Sequence, residues 1–431
     1  MATNDPKAAR AALFKDRNFL WLVTGGGVSL LGDQFTLLAL PWLVLKMTGD
    51  TLMLGTVLAL IAVPRALFIL VGGAIVDRYS PQRVLMLTKY VNTVLLALLA
   101  GGVFTHTLTL AMVHALALGI GLASAFSIPS GTSIMPRVVG PEQLPAANSV
   151  MMGLRQLSMF IGPVAAGLLV ALGGEAKRGD LADAHGIAIA FAFDAFSFLL
   201  SAWTLAKVAL RETPADGKAS SMPVWQSIVQ GLRHVAADAQ LLTLYLYWAA
   251  VAVLVLGPLQ IALPVLASQH PELGASALGI MAGSHGAGLL IGMALSGILP
   301  KLRFGSLGTT VLAFDIAIGL LFVPMGHIDA TWQGAGLLLL VGLLGGSMQV
   351  AVFTWLQRRV PGAMLGRAMS LFMFIFMGLV PIASAITGWV LRSVMLAQLF
   401  AGCGALLVMV ALIAAVVSPM RRVGAPIVGA A

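Results

Sequence analysis

Gly72-Gly73-Ala74-Ile75-Val76-Asp77-Arg78-Tyr79-Ser80-Pro81-Gln82-Arg83-Val84-Leu85 is a short polar island between two apolar runs, residues 55 to 76 and 84 to 103. Each run holds about 20 residues, the length a helix needs to cross the hydrocarbon core of a bilayer. The charges between them cannot enter that core without a large cost. The island therefore reads as a turn at a membrane surface, and the runs on either side as membrane helices.

Outward from this turn the pattern repeats. Apolar runs at 18 to 45, 55 to 76, 84 to 103, 109 to 130, 147 to 172, 187 to 207, 241 to 266, 276 to 299, 306 to 325, 334 to 356, 368 to 391 and 396 to 417 predict an all-α membrane protein of twelve spans. The 431 residues are 59% hydrophobic and 10% charged, against roughly a quarter charged in soluble domains, which excludes a water-soluble enzyme. The first run follows a charged tail but is too long for the apolar core of a signal peptide, so it stays as a membrane helix. A single cysteine, Cys403, excludes a disulfide framework, a zinc ribbon and an iron–sulfur ligand set.

The net charge of +9 is topological. With the N-terminus in the cytoplasm, nineteen of the 25 Lys and Arg fall on inner segments, Lys7, Arg10, Lys89, Lys301 and Arg303 among them. Lys46, Lys177, Arg178 and Arg392 fall outside, and Arg65 and Arg155 inside spans. The positive-inside rule is met, predicting a multi-pass inner-membrane protein with both termini cytoplasmic. No interleaved basic and aromatic surface accompanies the charge, so nucleic acid is not a partner.

One polar stretch, residues 208 to 240 with Pro214, Asp216, Gly217, Lys218 and Pro223, is long enough to link two halves. Its second part, Val224 to Ala236, predicts an amphipathic helix on the inner membrane surface, or a docking site for a partner. The halves are 1–207 and 241–431, and they repeat. Ala39, Leu40 and Pro41 match Ala262, Leu263 and Pro264 at an offset of 223; Gly55 and Gly73 match Gly279 and Gly297 at 224; Arg137, Leu144, Ala147, Ser149 and Gly167 match Arg358, Leu365, Ala368, Ser370 and Gly388 at 221. Two six-helix bundles repeated in one orientation imply a pseudo-twofold axis along the membrane normal, with a substrate site near mid-membrane.

The island, with Gly73, Asp77, Arg78 and Arg83, resembles the G-x-x-x-D-R-x-x-x-R-R signature of the major facilitator superfamily. It departs at Ser80 and Pro81, and at Gln82, which replaces the first of the paired basic residues; the second-half copy puts Lys301 in the Asp position. The resemblance implies a cytoplasmic gate at this loop; a positive topological anchor is the alternative. Gly162, Pro163 and Gly167 in the fifth span resemble the G-P-x-x-x-G core of the family's exporters, a kink that lets a neighbouring helix approach. Leu31 to Asp33, Pro64-Arg65 and Asp194 to Phe198 resemble the subgroup of enterobactin and multidrug exporters. A monomer is the family expectation.

Ionisable groups inside spans are functional candidates by default. Here they are Asp33, Arg65, Arg155, Asp194, His285 and Asp315. Asp33, near the middle of a span that lines the cavity in this superfamily, is the candidate for proton or substrate coupling, with Arg65 and Arg155 as cationic partners; a structural ion pair is the other reading. Asp194 and Asp315 lie on spans peripheral in this superfamily and read as caps or interhelical bonds. Gln260 and Gln349 are candidate cavity residues. No ATP loop, no H-E-x-x-H and no G-x-S-x-G appears, so neither an enzyme nor a metal or cofactor is expected.

These readings converge on a secondary transporter, a proton-coupled exporter of small amphipathic compounds such as drugs or siderophores, working by alternating access. A lipid or lysolipid transporter is the alternative within transport, and a membrane sensor on the same fold the alternative outside it. The expected partners are a small-molecule substrate, the proton and the lipid bilayer.

Overall fold

The computed structural model describes residues 13–174, 179, 181, 183–211, 224–270, 273–298 and 305–424. Lys7, Arg10, Lys177, Arg178, the linker residues from Pro214 to Pro223, Lys301 and Arg303 lie outside the described residues. Among those described there is no strand, and twelve helices are long and apolar enough to cross a membrane.

The first six spans are α1 (Arg17–Thr48), α2 (Thr51–Arg78), α3 (Pro81–Phe104), α4 (Leu110–Val138), α5 (Leu144–Leu172) and α6 (His185–Ala206). After α7 (Val224–Ala237), the seventh span is α8 (Ala239–Val251), a π-helical turn (Ala252–Leu256) and α9 (Gly257–Gln269). Then come α10 (Gly274–Ile298), α11 (Leu307–Met325) and α12 (Thr331–Arg359). The eleventh span is α13 (Gly362–Phe374), a second π turn (Ile375–Leu379) and α14 (Val380–Val390), and the twelfth is α15 (Leu396–Val417).

Side chains fix several helix ends. The Asp16 carboxylate accepts from the amides of Asn18 and Phe19 at the start of α1, and Gly49, at φ 61°, closes it with its amide on the Leu45 carbonyl. Only glycine enters that left-handed region without a Cβ penalty. Ser306 and Thr309 cap α11 reciprocally. The largest boundary error from sequence is the fourth span, expected to end near residue 130. Ser130 and Thr132 donate their hydroxyls to the carbonyls of Phe126 and Pro129, and the helix runs on to Val138.

The chain divides into two compact units: residues 1–49, 56–219 and 274–279, and residues 50–55, 220–273 and 280–431. In the first, α1 packs along α5 and α6, and α3 along α4 and α6. Small residues on α1 permit this approach: a Cβ on Gly25 would lie 1.9 Å from Thr204 Oγ1, and one on Gly32 would lie 2.1 Å from Ser197 Oγ. The Gly25-Gly26-Gly27 run is thus a packing surface. At one end of the unit, Leu13, Phe19 and Leu22 share a core with Ile134, Met135, Val138 and Leu205.

In the second unit α11 lies along α15 and α9 along α14. The linker helix α7 packs on α13, with Gly231 over Arg367 and Leu371 and with Arg367 Nη1 donating to Gln230 Oε1 at 2.7 Å. The two π turns pack against each other. Each is followed by a proline at the second position of the next helix, Pro258 and Pro381. A proline ring clashes with the carbonyl four residues back and offers it no N–H, and the wider turn accommodates both defects.

Candidate functional site

The interior of the first unit carries a charged cluster drawn from five helices. Asp33 stands at the middle of α1, and the charges of Lys89 on α3, Arg155 on α5 and Arg65 on α2 act on its carboxylate. Asp194 on α6 is held by two hydroxyls. Thr36 Oγ1 donates to Asp194 Oδ2, and Ser197 Oγ stands 3.0 Å from Asp194 Oδ1. Lys89 Nζ donates to Ser29 Oγ at 3.3 Å and lies 5.3 Å from the centre of the Phe198 ring. It feels both Asp33 and Asp194.

The three coupling residues named from sequence, Asp33, Arg65 and Arg155, are therefore brought together. Lys89 is a correction. Counted above with the inner-surface charges, it is 8% exposed and sits eight residues into α3, about 12 Å along the helix axis. The missed signal was its position inside the apolar run 84 to 103, with Asn92 one turn further on and also buried. Charge counting by topology assigned it to a loop because lysines usually mark loops. Arg65 Nε and Asn92 Oδ1 are buried without a hydrogen-bond partner among the described residues, while Arg155 is exposed.

The remaining predicted residues fall elsewhere. Gly73, Asp77 and Arg78 lie on α2, but their side chains are outside those described; Arg83 is exposed at the start of α3. Gln82 gives its amide nitrogen to the carbonyls of Leu205 and Val208, both at 2.8 Å, so the motif's departure from the family pattern ties this turn to the end of α6. α5 continues as a helix through Pro163. Gly162 faces Gln34, and Gly167 faces Gly279, where an added Cβ would lie 2.8 Å from the Gly279 Cα. Gln260 is within 3.1 Å of the Ser384 hydroxyl, and Gln349 is exposed. Asp194 makes the interhelical bond expected of it. Asp315, expected to do the same, faces the Tyr247 hydroxyl of α8.

No group of three or more His, Cys, Asp and Glu among the described residues is placed to hold a metal ion. An apolar groove between α11 and α15, lined by Gly319, Leu320, Val323, Gly404, Met409 and Leu412, offers no polar side chain to a substrate.

Twelve apolar helices with buried charges in their middle define a multi-pass membrane protein of the transporter class. The Major Facilitator Superfamily profile matches residues 22–385, and the chain belongs to that family; it is a transporter and not an enzyme. It is 28% identical over 338 residues to the enterobactin exporter EntS of Shigella flexneri, covering 76% of this chain and 74% of that one. Similarity to the EntS of Escherichia coli O6:K15:H31 is 27% over 339 residues with the same coverage. Among solved structures, a bacterial homologue of the iron transporter ferroportin in the inward-facing state superposes with a TM-score of 0.68 at 17% identity, over 92% of this chain and 98% of that one. The nucleoside transporter NupG superposes with a TM-score of 0.69 at 12% identity, over 92% and 97%. These two show the shared fold.

Proposed function

We propose that the protein is a proton-coupled exporter of small amphipathic compounds, of the siderophore or drug type, with Asp33 as the coupling acid. One observation carries this reading: a single mid-span carboxylate on α1 lies under the influence of three cations from three other helices. Such a group gains a proton when its cations are screened or drawn away, and loses it when they return. A helix shift during alternating access would supply that change. The relatives named above export enterobactin, which favours a siderophore-like substrate and outward direction.

In this reading the bundles 1–207 and 241–431 rock about the linker 208–240, with Gly73, Asp77, Arg78 and Arg83 gating the cytoplasmic side. The packed turn at Gly162, Pro163 and Gly167 restricts the fifth span, and Gln260 and Gln349 face substrate. The protein acts as a monomer in the inner membrane, with both termini in the cytoplasm.

The test is proton movement in proteoliposomes on addition of dyes, antibiotics, siderophores and lysolipids, comparing the native protein with Asp33→Asn. A compound that moves protons only with the native protein supports antiport through Asp33 and names the substrate class. Equal signals from both would remove Asp33 from the coupling role.

A further inference from the structure

The second unit holds a buried acid that the coupling cluster does not use. Asp315 is the ninth residue of the nineteen in α11 and 1% exposed. Neither of its carboxyl oxygens has a hydrogen-bond partner among the described residues. Tyr247 on α8, 4% exposed, turns its hydroxyl toward this carboxyl, and among the described residues that hydroxyl has no other hydrogen-bond partner.

The neighbouring elements bring no compensating charge. α11 packs against α15, α12 and the turn Pro419–Arg422. The one titratable residue of α15 is Cys403; the charged residues of α12 are Arg358 and Arg359 at its far end; the turn carries Arg421 and Arg422; and α8 contributes Tyr245 and Tyr247. The Tyr245 hydroxyl is committed to the carbonyl of Ala368 at 2.7 Å. An ionised carboxylate inside hydrocarbon with no cation beside it among the described residues, and a single neutral hydroxyl to face, is an expensive arrangement, whereas the same group with a proton is a neutral donor and acceptor opposite that hydroxyl.

We propose that Asp315 and the Tyr247 hydroxyl form a proton-binding site within the second unit, occupied by one proton in this conformation. The proton comes from water, converts the carboxylate to a carboxylic acid, and leaves again when the carboxyl meets water or a cation. Asp33 belongs to the first unit, so the chain carries two separate acids able to exchange protons, and this assignment stands whether or not Asp33 couples transport.

The test is infrared spectroscopy of the purified full-length protein in liposomes, native against Asp315→Asn, across about pH 5 to pH 10, a window spanning ordinary and strongly shifted carboxyl groups. At neutral pH the native spectrum should contain a protonated carboxyl C=O band that Asp315→Asn lacks, and this band should give way to carboxylate bands as the pH rises. Tyr247→Phe, which keeps the acid, should retain the band at a shifted frequency, and Asp33→Asn should leave it in place. Carboxylate bands alone at neutral pH would overturn the proposal, as would a band unchanged across the whole range, which marks a permanent structural acid. An unshifted band in Tyr247→Phe would remove the tyrosine from the site. Because Tyr247→Phe and Asp33→Asn report without removing Asp315, misfolding of Asp315→Asn cannot be mistaken for either result.

Discussion

Arg392 Nη2 lies 2.7 Å from Asp50 Oδ2, joining the turn before α2 to the residues that follow α14. Burial alone would raise the Asp50 carboxyl, but the Arg392 hydrogen bond, the amides of Leu52 and Met53 and the arginine charge outweigh it and hold the group below the usual carboxylate range. A folded-state value below the unfolded one stabilises the fold at pH values above about 4, and that contribution is lost as the pH falls through the lower folded value. With the arginine half exposed, the pair is worth about 0.2 to 1 kcal/mol. Asp50→Asn keeps the acceptor for the Leu52 amide and removes the charge together with the Oδ2 acceptor of Arg392. Thermal unfolding in detergent should show it less stable than the native protein at neutral pH, with a deficit that shrinks as the pH falls below about 4; a deficit that does not change with pH would mean the carboxylate charge is not the cause.

Among the described residues, Lys89 is the cation most enclosed by the first unit, and it faces two acids. Replacing it with methionine preserves length and apolar volume but leaves Asp33 and Asp194 with less compensation, which should destabilise the protein by about 3 kcal/mol. Adding Asp33→Asn should restore part of that loss, with a coupling energy of about 0.5 to 3 kcal/mol. Denaturant unfolding of the two single variants and the double variant measures it directly. Strict additivity would show that the two charges do not communicate.

The distance between what was legible in the sequence and what was not is clearest at these charges. Spans are written in local composition, so all twelve could be read, and Asp33, Arg65 and Arg155 stood out because each interrupts an apolar run. Lys89 interrupts one too, but it lies near the start of its run, where a lysine can belong to either solvent, and only the position of Pro81 at the first turn of α3 shows how deep it sits. Which charges meet is a property of helix rotation, and that is set by contacts such as Gly32 against Ser197, which no single run of sequence encodes. The repeat was more informative than it first looked. The glycines it matches, Gly55 with Gly279 and Gly167 with Gly388, pack crosswise, Gly167 on Gly279 and Gly388 on Gly55.

Those glycine pairs give a steric prediction. A Cβ on Gly167 would lie 2.6 Å from the Ala275 carbonyl oxygen, and one on Gly388 would lie 2.4 Å from that of Thr51. Both obstacles are backbone, which cannot rotate away, so Gly167→Ala and Gly388→Ala should each destabilise by about 1 to 3 kcal/mol. Gly101 on α3 has no atom within 4 Å of an added Cβ. Gly101→Ala should stabilise by roughly 0.5 to 1 kcal/mol through helix propensity alone. Melting temperatures of the three variants in one detergent decide the matter, and a loss in Gly101→Ala equal to the others would assign the effect to something besides close approach.

Gln82 replaces a basic residue of the family motif, and its two bonds explain why the substitution is tolerated. Leu205 is among the last residues of α6 and Val208 lies just beyond it; the Leu205 carbonyl also accepts from the Val208 amide at 3.1 Å, and carbonyls at a helix C-terminus have room for such further donors. The Gln82 amide donates to both. A guanidinium has the donors to do the same and adds a positive charge at the negative end of the helix dipole. Gln82→Arg should therefore be at least as stable as the native protein. Gln82→Leu, of similar size but without donors, should lose about 1 kcal/mol for each bond. Unfolding midpoints for the two variants separate these cases, and a leucine variant as stable as the native protein would mean that the turn between α2 and α3 is held by other contacts.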